Sequence, residues 1–301
     1  MSAVRSHART TWAFAGLTGT SAAVILGVLA WLLVDVAIHG LPRISWSFLG
    51  EAPREGMTAG GIFPAIFGTV ALVVLMTAAV VPVGVLTAIY LHEYADQQGA
   101  FARWIRGAVY NLAGVPSIVF GLFGLGFFVQ FVGRRIDALF HGGEVVWGQP
   151  AIVWAALTLA VLTLPVVIVS TEEALRSVPR EHREAALALG STRFEALWKV
   201  VLPQALPGIL TGAILAVARG AGETAPILFT GAAYFLPHLP TRPYDQFMNL
   251  GYHVYVLATQ SPDVEAARPI LYGTVLVLLL VTIVLNLLAV TLRSRLRAGR
   301  A

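Results

Sequence analysis

Two charged residues stand where charge is costly. Arg219 and Glu223 lie inside the apolar run Ala205–Gly231, ALPGILTGAILAVARGAGETAPILFTG. Read as a helix starting near Leu206, at about 1.5 Å per residue, this run puts Arg219 roughly 20 Å along, near the middle of a bilayer. An arginine there costs about 2.5–3.5 kcal/mol on insertion scales, so it must face a protein interior or a watery path. Glu223 follows four residues later, a spacing that sets both side chains on one helix face, one turn apart. Two roles fit. The pair can glue helices together. Alternatively, Arg219 lines an anion path and Glu223 offsets and orients its charge; a planar guanidinium binds two oxyanion oxygens at once. Gly220 and Gly222 thin the helix beside the pair, and Pro226 weakens it beyond.

The second stretch with chemistry is polar and precedes the first. Residues 172–205 read as two short helices around a glycine hinge. Pro179 suits a first helical turn, with Ser177 or Val178 near the cap. Gly190 suits a left-handed stop. Thr192 and Glu195 have capping-box spacing for a second helix ending at Pro203. Ala185, Ala186 and Gly190 offer a low-relief surface, with Arg180, Arg183 and Glu184 able to steer a partner at its rim.

Other chemistries find little support. The chain has no cysteine, so it has neither disulfides nor a thiolate metal site. Its seven histidines are scattered and form no HExxH pair. There is no GxxxxGK[ST] phosphate loop; the nearest glycine cluster, Gly220-Ala221-Gly222-Glu223, lacks the lysine. Any ATP must be hydrolysed by another subunit, and the chain is expected to be neither an enzyme nor a cofactor protein.

The elements that must position these residues are membrane helices. The chain is 57% hydrophobic and only 12% charged, with a mean hydropathy of +0.77. The pI near 9.7 does not indicate nucleic acid, because the basic residues sit in short loops between apolar runs. The expected fold is an all-α integral membrane domain over 1–301 with six spans, at about 12–38, 62–90, 108–131, 150–170, 206–230 and 269–292. The first run is too long for a signal-peptide core and is expected to remain as a helix. Pro64 suits an early position in the second span and Pro82 should kink it. The third span carries Gly114, Gly121, Gly124 and Gly126, a face for close packing within the chain or against a partner subunit. Arg134–Gln149 reads as a polar loop. Phe247–Tyr255, in the long loop before the sixth span, is expected to form a short interfacial helix or an aromatic belt.

Six spans put both termini on one side. The termini and the second and fourth loops carry thirteen Lys/Arg: Arg5, Arg9, Arg103, Arg106, Arg176, Arg180, Arg183, Arg193, Lys199 and four tail arginines. The opposite loops carry six. The excess marks the termini and the 172–205 loop as cytoplasmic.

Two sets of motifs carry a family resemblance. Glu184-Ala185-Ala186, Gly190 and Leu202-Pro203 match the spacing EAA-x3-G-x9-I-x-LP, with Val200 at the isoleucine position. This resembles the EAA loop of ABC importer permeases. ARxxGETAPxLFTG in the fifth span, GIFPAIFGT at Gly61–Thr69 and GVPSIVFGL at Gly114–Leu122 are similar to the PstA family, one of the two permease types of phosphate-specific importers. The resemblance implies a type I importer permease in the inner membrane, moving phosphate inward. It implies a PstC-like permease partner, two PstB-like ATPase subunits that bind the ATP and Mg, and a periplasmic PstS-like phosphate-binding protein. It implies that Arg219 and Glu223 belong to the translocation path, and that Arg183, Glu184, Ala185, Ala186 and Gly190 dock on the ATPase. Alternatives are a permease for another oxyanion such as sulfate or molybdate, and a membrane scaffold in phosphate signalling.

Overall fold

The computed structural model describes residues 2–54, 57, 59–96, 99–261 and 263–298, with side chains given except for 2–13, 292 and 296–298. The side chains of Arg5, Arg9, Arg297 and Arg300, which belong to the charge count above, lie outside these.

Among the described residues, six helical runs are long and apolar enough to cross a membrane: Phe14–Arg43, Phe63–Tyr94, Ser117–Phe140, Ile152–Arg176, Arg193–Gly222 and Val264–Arg295. The first is formed by α1 (Ser2–Gly40) and the 3-10 turn Leu41–Arg43 that prolongs it; α1 leans on the last helix and is otherwise exposed. A short linker follows. It holds α2 (Trp46–Gly50), capped by the Ser45 hydroxyl, which accepts from the Phe48 N–H at 3.1 Å. It also holds a two-residue antiparallel ribbon, β1 (Pro53–Arg54) with β2 (Ala59–Gly60), in the register Pro53↔Gly60. α3 (Phe63–Ile89) then starts with Pro64 in its first turn, where a missing N–H costs nothing, and contains Pro82 without breaking. A π-helical turn, Tyr90–Tyr94, prolongs it.

The expected span over 108–131 is corrected here. α4 (Ala100–Ala113) and α5 (Ser117–Gly124) are separate helices, parted at Gly114-Val115-Pro116. Pro116 has no N–H to donate and biases Val115 away from helical backbone. α4 is amphipathic: Ala102 and Val109 are buried while Phe101, Trp104 and Tyr110 are exposed. The membrane-length run begins only at Ser117. It continues through a π-helical stretch, Leu125–Gly133, into α6 (Arg134–Phe140), so the first half of the expected loop Arg134–Gln149 is helix. The rest is tied down by buried Asp137, whose carboxylate accepts the N–H groups of Val146 (3.1 Å), Trp147 (2.8 Å) and Gly148 (2.7 Å).

α7 (Ile152–Arg176) is the central helix. Trp154, Leu159, Leu162, Val167 and Leu175 are all buried, and it packs against both α3 and α10. Thr158 and Thr163 are fully buried, and their hydroxyls donate to Trp154 O and Leu159 O at 2.7 and 2.8 Å. No polar group of theirs is left to apolar surroundings. Between α5 and α7, Gly124 comes so close to Thr158 that a Cβ there would lie 2.1 Å from its hydroxyl. Gly121 packs against Pro226 and Phe229. These two glycines therefore serve packing within the chain.

After α7 come α8 (Arg180–Ala188) and α9 (Arg193–Ala196), with Pro179 as cap rather than first-turn residue of α8. α9 does not end at Pro203, as the sequence suggests. It passes through a π-helical turn, Leu197–Val201, into α10 (Leu202–Gly222), which also contains Pro207. Such local rewinding lets a helix pass a residue that lacks an N–H. The expected span over 206–230 is likewise corrected at its end. α10 stops at Gly222, Glu223 takes an extended conformation, and a separate short helix, α11 (Ile227–Thr230), follows. The chain then runs through 231–249 to α12 (Leu250–Thr259) and closes with α13 (Val264–Ala298). Phe247 and Met248, expected in the interfacial helix, instead precede it and are buried.

Candidate translocation path and coupling loop

The break after α10 gives Arg219 its surroundings. Arg219 lies in the last turn of the helix, where the negative end of the helix dipole favours a cation. Its Nε stands 3.5 Å from Glu223 Oε1, and the side chains remain 37% and 20% exposed. Glu223 is therefore not on the helix face one turn on, as its spacing suggests. It is the residue at which the helix ends, folded back so that its N–H meets Gly220 O at 3.4 Å.

The depth of the break is fixed by α3. Gly220 sits against Met76, where a Cβ would come within 2.3 Å of Sδ. Met76 lies near the middle of the run Phe63–Tyr94. Arg219 is thus level with mid-α3, although it is three residues from the end of its own helix. Non-helical backbone at such a level is tolerated where it is covered by protein or lines a cavity.

α12 supplies the cover. Its first turn abuts the break: a Cβ on Gly251 would lie 2.5 Å from Thr224 Oγ1. Asn249 caps α12, accepting from the Tyr252 N–H at 3.1 Å. Thr69 of α3 pins the same turn, its hydroxyl accepting from Leu250 N at 2.9 Å and from Asn249 Nδ2 at 3.3 Å. Tyr252 packs on the core cluster that contains Met76 and Ala221, and its ring stacks on Tyr255 with centroids 6.3 Å apart. Burial raises the Tyr252 pKa, and neighbouring Tyr255 and Tyr234 add to the shift, so the phenol keeps its proton. Nothing in the sequence singled out Thr224, next to Glu223, as the residue on which the first turn of α12 rests. Glycines at 220 and 222 ahead of Pro226 were the available signal of a helix end.

At the other end of α7 lies the coupling loop. α8 ends in a two-bond Schellman closure, with Gly190 N–H donating to Leu187 O at 3.0 Å and Ser191 N–H to Ala186 O at 3.1 Å. Gly190 is left-handed, at φ +87°. Both bonds of the Thr192/Glu195 capping box are present, at 3.2 and 3.0 Å. The low-relief surface divides, however. Glu184, Ala185 and Gly190 face outward, and Leu189 beside them is 88% exposed. Ala186 is buried, because it faces the turn at Leu197–Val201 that α8 packs on. Arg183 turns inward as well, pairing with Glu93 at the π-helical end of α3. His182 Nδ1 meets Gln204 Oε1 at 2.7 Å.

α4 and α7 are tied at this same end. Arg106 donates to Glu172 Oε1 at 3.2 Å and to Leu91 O at 2.8 Å, with the Glu172 side chain only 7% exposed. The Arg183–Glu93 pair, 90 residues apart in sequence, thus braces the loop against α3, and the Arg106–Glu172 pair, 66 apart, ties α4 to α7 beside it. Glu93 in that bracing was not singled out from sequence, where nothing marks its partner.

Residues 81–298 match the family model described as binding-protein-dependent transport system inner membrane component. A probable ABC transporter permease protein, YqgI of Bacillus subtilis, is 34% identical over 91% of this chain and 92% of its own. The phosphate transport system permease protein PstA 1 of Mycobacterium tuberculosis is 33% identical over 96% of this chain and 89% of its own. Among solved structures, a chain of a bacterial alginate ABC transporter in complex with alginate pentasaccharide-bound periplasmic protein superposes with a TM-score of 0.62. It is 16% identical, covering 89% of this chain and 91% of that one, a likeness of fold alone.

Proposed function

The chain belongs to the family of binding-protein-dependent transport system inner membrane components, and from that premise we infer that it is the permease subunit of an ATP-driven importer of inorganic phosphate. It is a multi-pass inner membrane protein and a non-enzymatic translocation subunit of a transporter complex. The phosphate reading is supported by the PstA-named relatives, at 33–39% identity.

The observation that carries the mechanism is the break after α10. It holds a partly exposed arginine level with the middle of α3, at a negative helix end and beside one carboxylate. Arg219 offers an oxyanion a fork of donors. Glu223 keeps that fork neutralised and oriented when no anion is present, which lowers the cost of an arginine at this level. The passing anion competes with Glu223 for the guanidinium, so it is held but not trapped.

The remaining assembly is proposed from the same reading. A PstC-like permease pairs with this chain, two PstB-like subunits supply ATP and Mg chemistry, and a PstS-like protein delivers phosphate. Both termini and residues 172–205 face the cytoplasm, following the Lys/Arg excess. The outward residues Glu184, Ala185 and Gly190 dock the ATPase. Arg183 and Ala186 act from behind, fixing α8 to α3 and to the turn below it.

The test is labelled-phosphate uptake by the reconstituted complex, with assembly measured in parallel. Arg219→Gln together with Glu223→Gln leaves no unpaired charge, so the double variant should assemble; it should carry less than about a tenth of the wild-type flux. Arg219→Lys keeps the charge without the fork and should retain part of it. Full transport by the assembled double variant would leave the pair as a structural ion pair and reject the path.

A further inference from the structure

Four hydroxyls gather on the far side of the break from the coupling loop. Thr224 follows Glu223 directly, and the start of α12 rests on it through Gly251. Tyr252 and Tyr255 stand on α12, stacked, and Tyr234 follows Ala233, whose N–H bonds Phe247 O at 2.8 Å just ahead of the Asn249 cap. Tyr234 and Tyr255 are 40% and 44% exposed. Among the described residues, none of the four hydroxyls has a hydrogen-bond partner in the chain. Tyr234 and Tyr255 are exposed, and the hydroxyls of Thr224 and Tyr252 are not among the buried atoms that lack a partner, so all four are open to water or to a ligand.

Their level follows from α3. Arg219 neighbours Gly220, which touches Met76, whereas the first turn of α12 is bonded to Thr69. Seven residues of α3 separate the two levels, about 10 Å along the helix. The first turn of α12 thus lies about 10 Å from the level of Arg219 along α3, towards the Phe63 end and away from the coupling loop. The rings of Tyr252 and Tyr255 stack on each other, and the cap on Asn249 fixes the turn that presents them.

We propose that Thr224, Tyr234, Tyr252 and Tyr255 form a hydroxyl-lined antechamber that receives a tetrahedral oxyanion before it reaches Arg219 and Glu223. This rests on the importer reading above and adds a binding site to it. The chemistry suits the class of ligand. Arginine only donates and a carboxylate only accepts, but each hydroxyl does both. A tetrahedral oxyanion that carries some of its protons, as phosphate does near neutral pH, needs both kinds of partner. Neutral donors also hold an anion less tightly than a guanidinium does, so the affinity rises inward along the path and no full charge has to be placed at its mouth.

The test uses the full reconstituted complex and removes hydroxyls without removing rings. Tyr234→Phe, Tyr252→Phe and Tyr255→Phe are combined in one variant, and Tyr255→Phe alone serves as the mildest form. Labelled phosphate, sulfate and molybdate are each offered, with assembled complex quantified in every preparation. The triple variant should lose about tenfold or more of the flux of the transported anion, the scale of one hydrogen bond to a charged group. Tyr255→Phe should lose less. If the wild type carries sulfate or molybdate rather than phosphate and the triple variant loses that flux, the phosphate reading falls and the antechamber stands with its hydroxyls acting as donors only, since those anions carry no proton near neutral pH. If an assembled triple variant carries whichever anion is transported at the wild-type rate, the hydroxyls have no part in the path and the proposal is overturned.

Discussion

Replacing Gly190 separates backbone strain from every other effect in the coupling loop. The residue sits at φ +87°, and a Cβ built on it meets nothing within 4 Å. A side chain there therefore has room, and its whole cost is the left-handed backbone, about 1–2 kcal/mol for an ordinary L-residue. The cost falls on the two bonds that close α8, Gly190 N–H to Leu187 O and Ser191 N–H to Ala186 O. α8 itself should survive, because buried Ala186 and the Arg183–Glu93 pair hold it from the other side. What shifts is the fraction of loops that keep the docking shape, by roughly 5- to 30-fold in the equilibrium between the two shapes. Where the strained shape is no longer the major one, the apparent affinity for the ATPase drops by the fraction lost. Asn tolerates left-handed backbone, Ala does so poorly and β-branched Val worst, so affinity should fall in the order Gly, Asn, Ala, Val. The assay is titration of the purified ATPase subunit onto the detergent-solubilised permease pair. Gly190→Val binding at wild-type affinity, or Gly190→Asn binding as weakly as Gly190→Val, would refute the backbone argument.

Two other outcomes follow from buried polar groups. Arg106→Met strands the Glu172 carboxylate, 7% exposed, and should destabilise the protein by about 3–5 kcal/mol, whereas Arg106→Met with Glu172→Leu should recover most of that in thermal unfolding. Equal losses in single and double variants would show that the pair is not what joins α4 to α7. His253 is 1% exposed with neither ring nitrogen hydrogen-bonded among the described residues, and burial lowers its pKa to about 4 from 6.5. The folded state then holds the neutral ring while the unfolded chain takes up a proton. Stability is full above pH 6.5 and falls as the pH drops towards 4, by roughly 3 kcal/mol in all. The melting temperature should decline across that window, and His253→Leu should flatten the decline; an unchanged slope in the variant would place the titration elsewhere.

The sequence by itself determined the membrane class, because an apolar run of bilayer length is a local property of composition. It also determined the caps of the coupling loop. Gly190, Thr192 and Glu195 act on backbone within four residues of themselves, so their spacing contains the whole interaction. The charge of Arg219 and Glu223 marked the candidate path for the same reason: a costly group in an apolar run is visible without knowing its surroundings.

Only the tertiary structure decided where the helices stop and what meets across them. The third span starts at Ser117 because Pro116 breaks a run whose hydropathy is continuous, and α4 is held apart by Arg106 bonding to Glu172 and Leu91. The fifth run passes Pro203 and Pro207 yet ends at Gly222, an outcome set by π-helical rewinding on one side and by the packing of Gly220, Gly251 and Pro226 on the other. Arg183 and Ala186 turn inward because Glu93 and the Leu197–Val201 turn wait behind them. Gly251 and Tyr252 come to the helix break, against Thr224 and the cluster that holds Ala221, from an element that follows it in the chain. Periodicity reports which face of a helix is apolar, but not which neighbour arrives to cover it; that choice belongs to contacts between residues far apart in sequence.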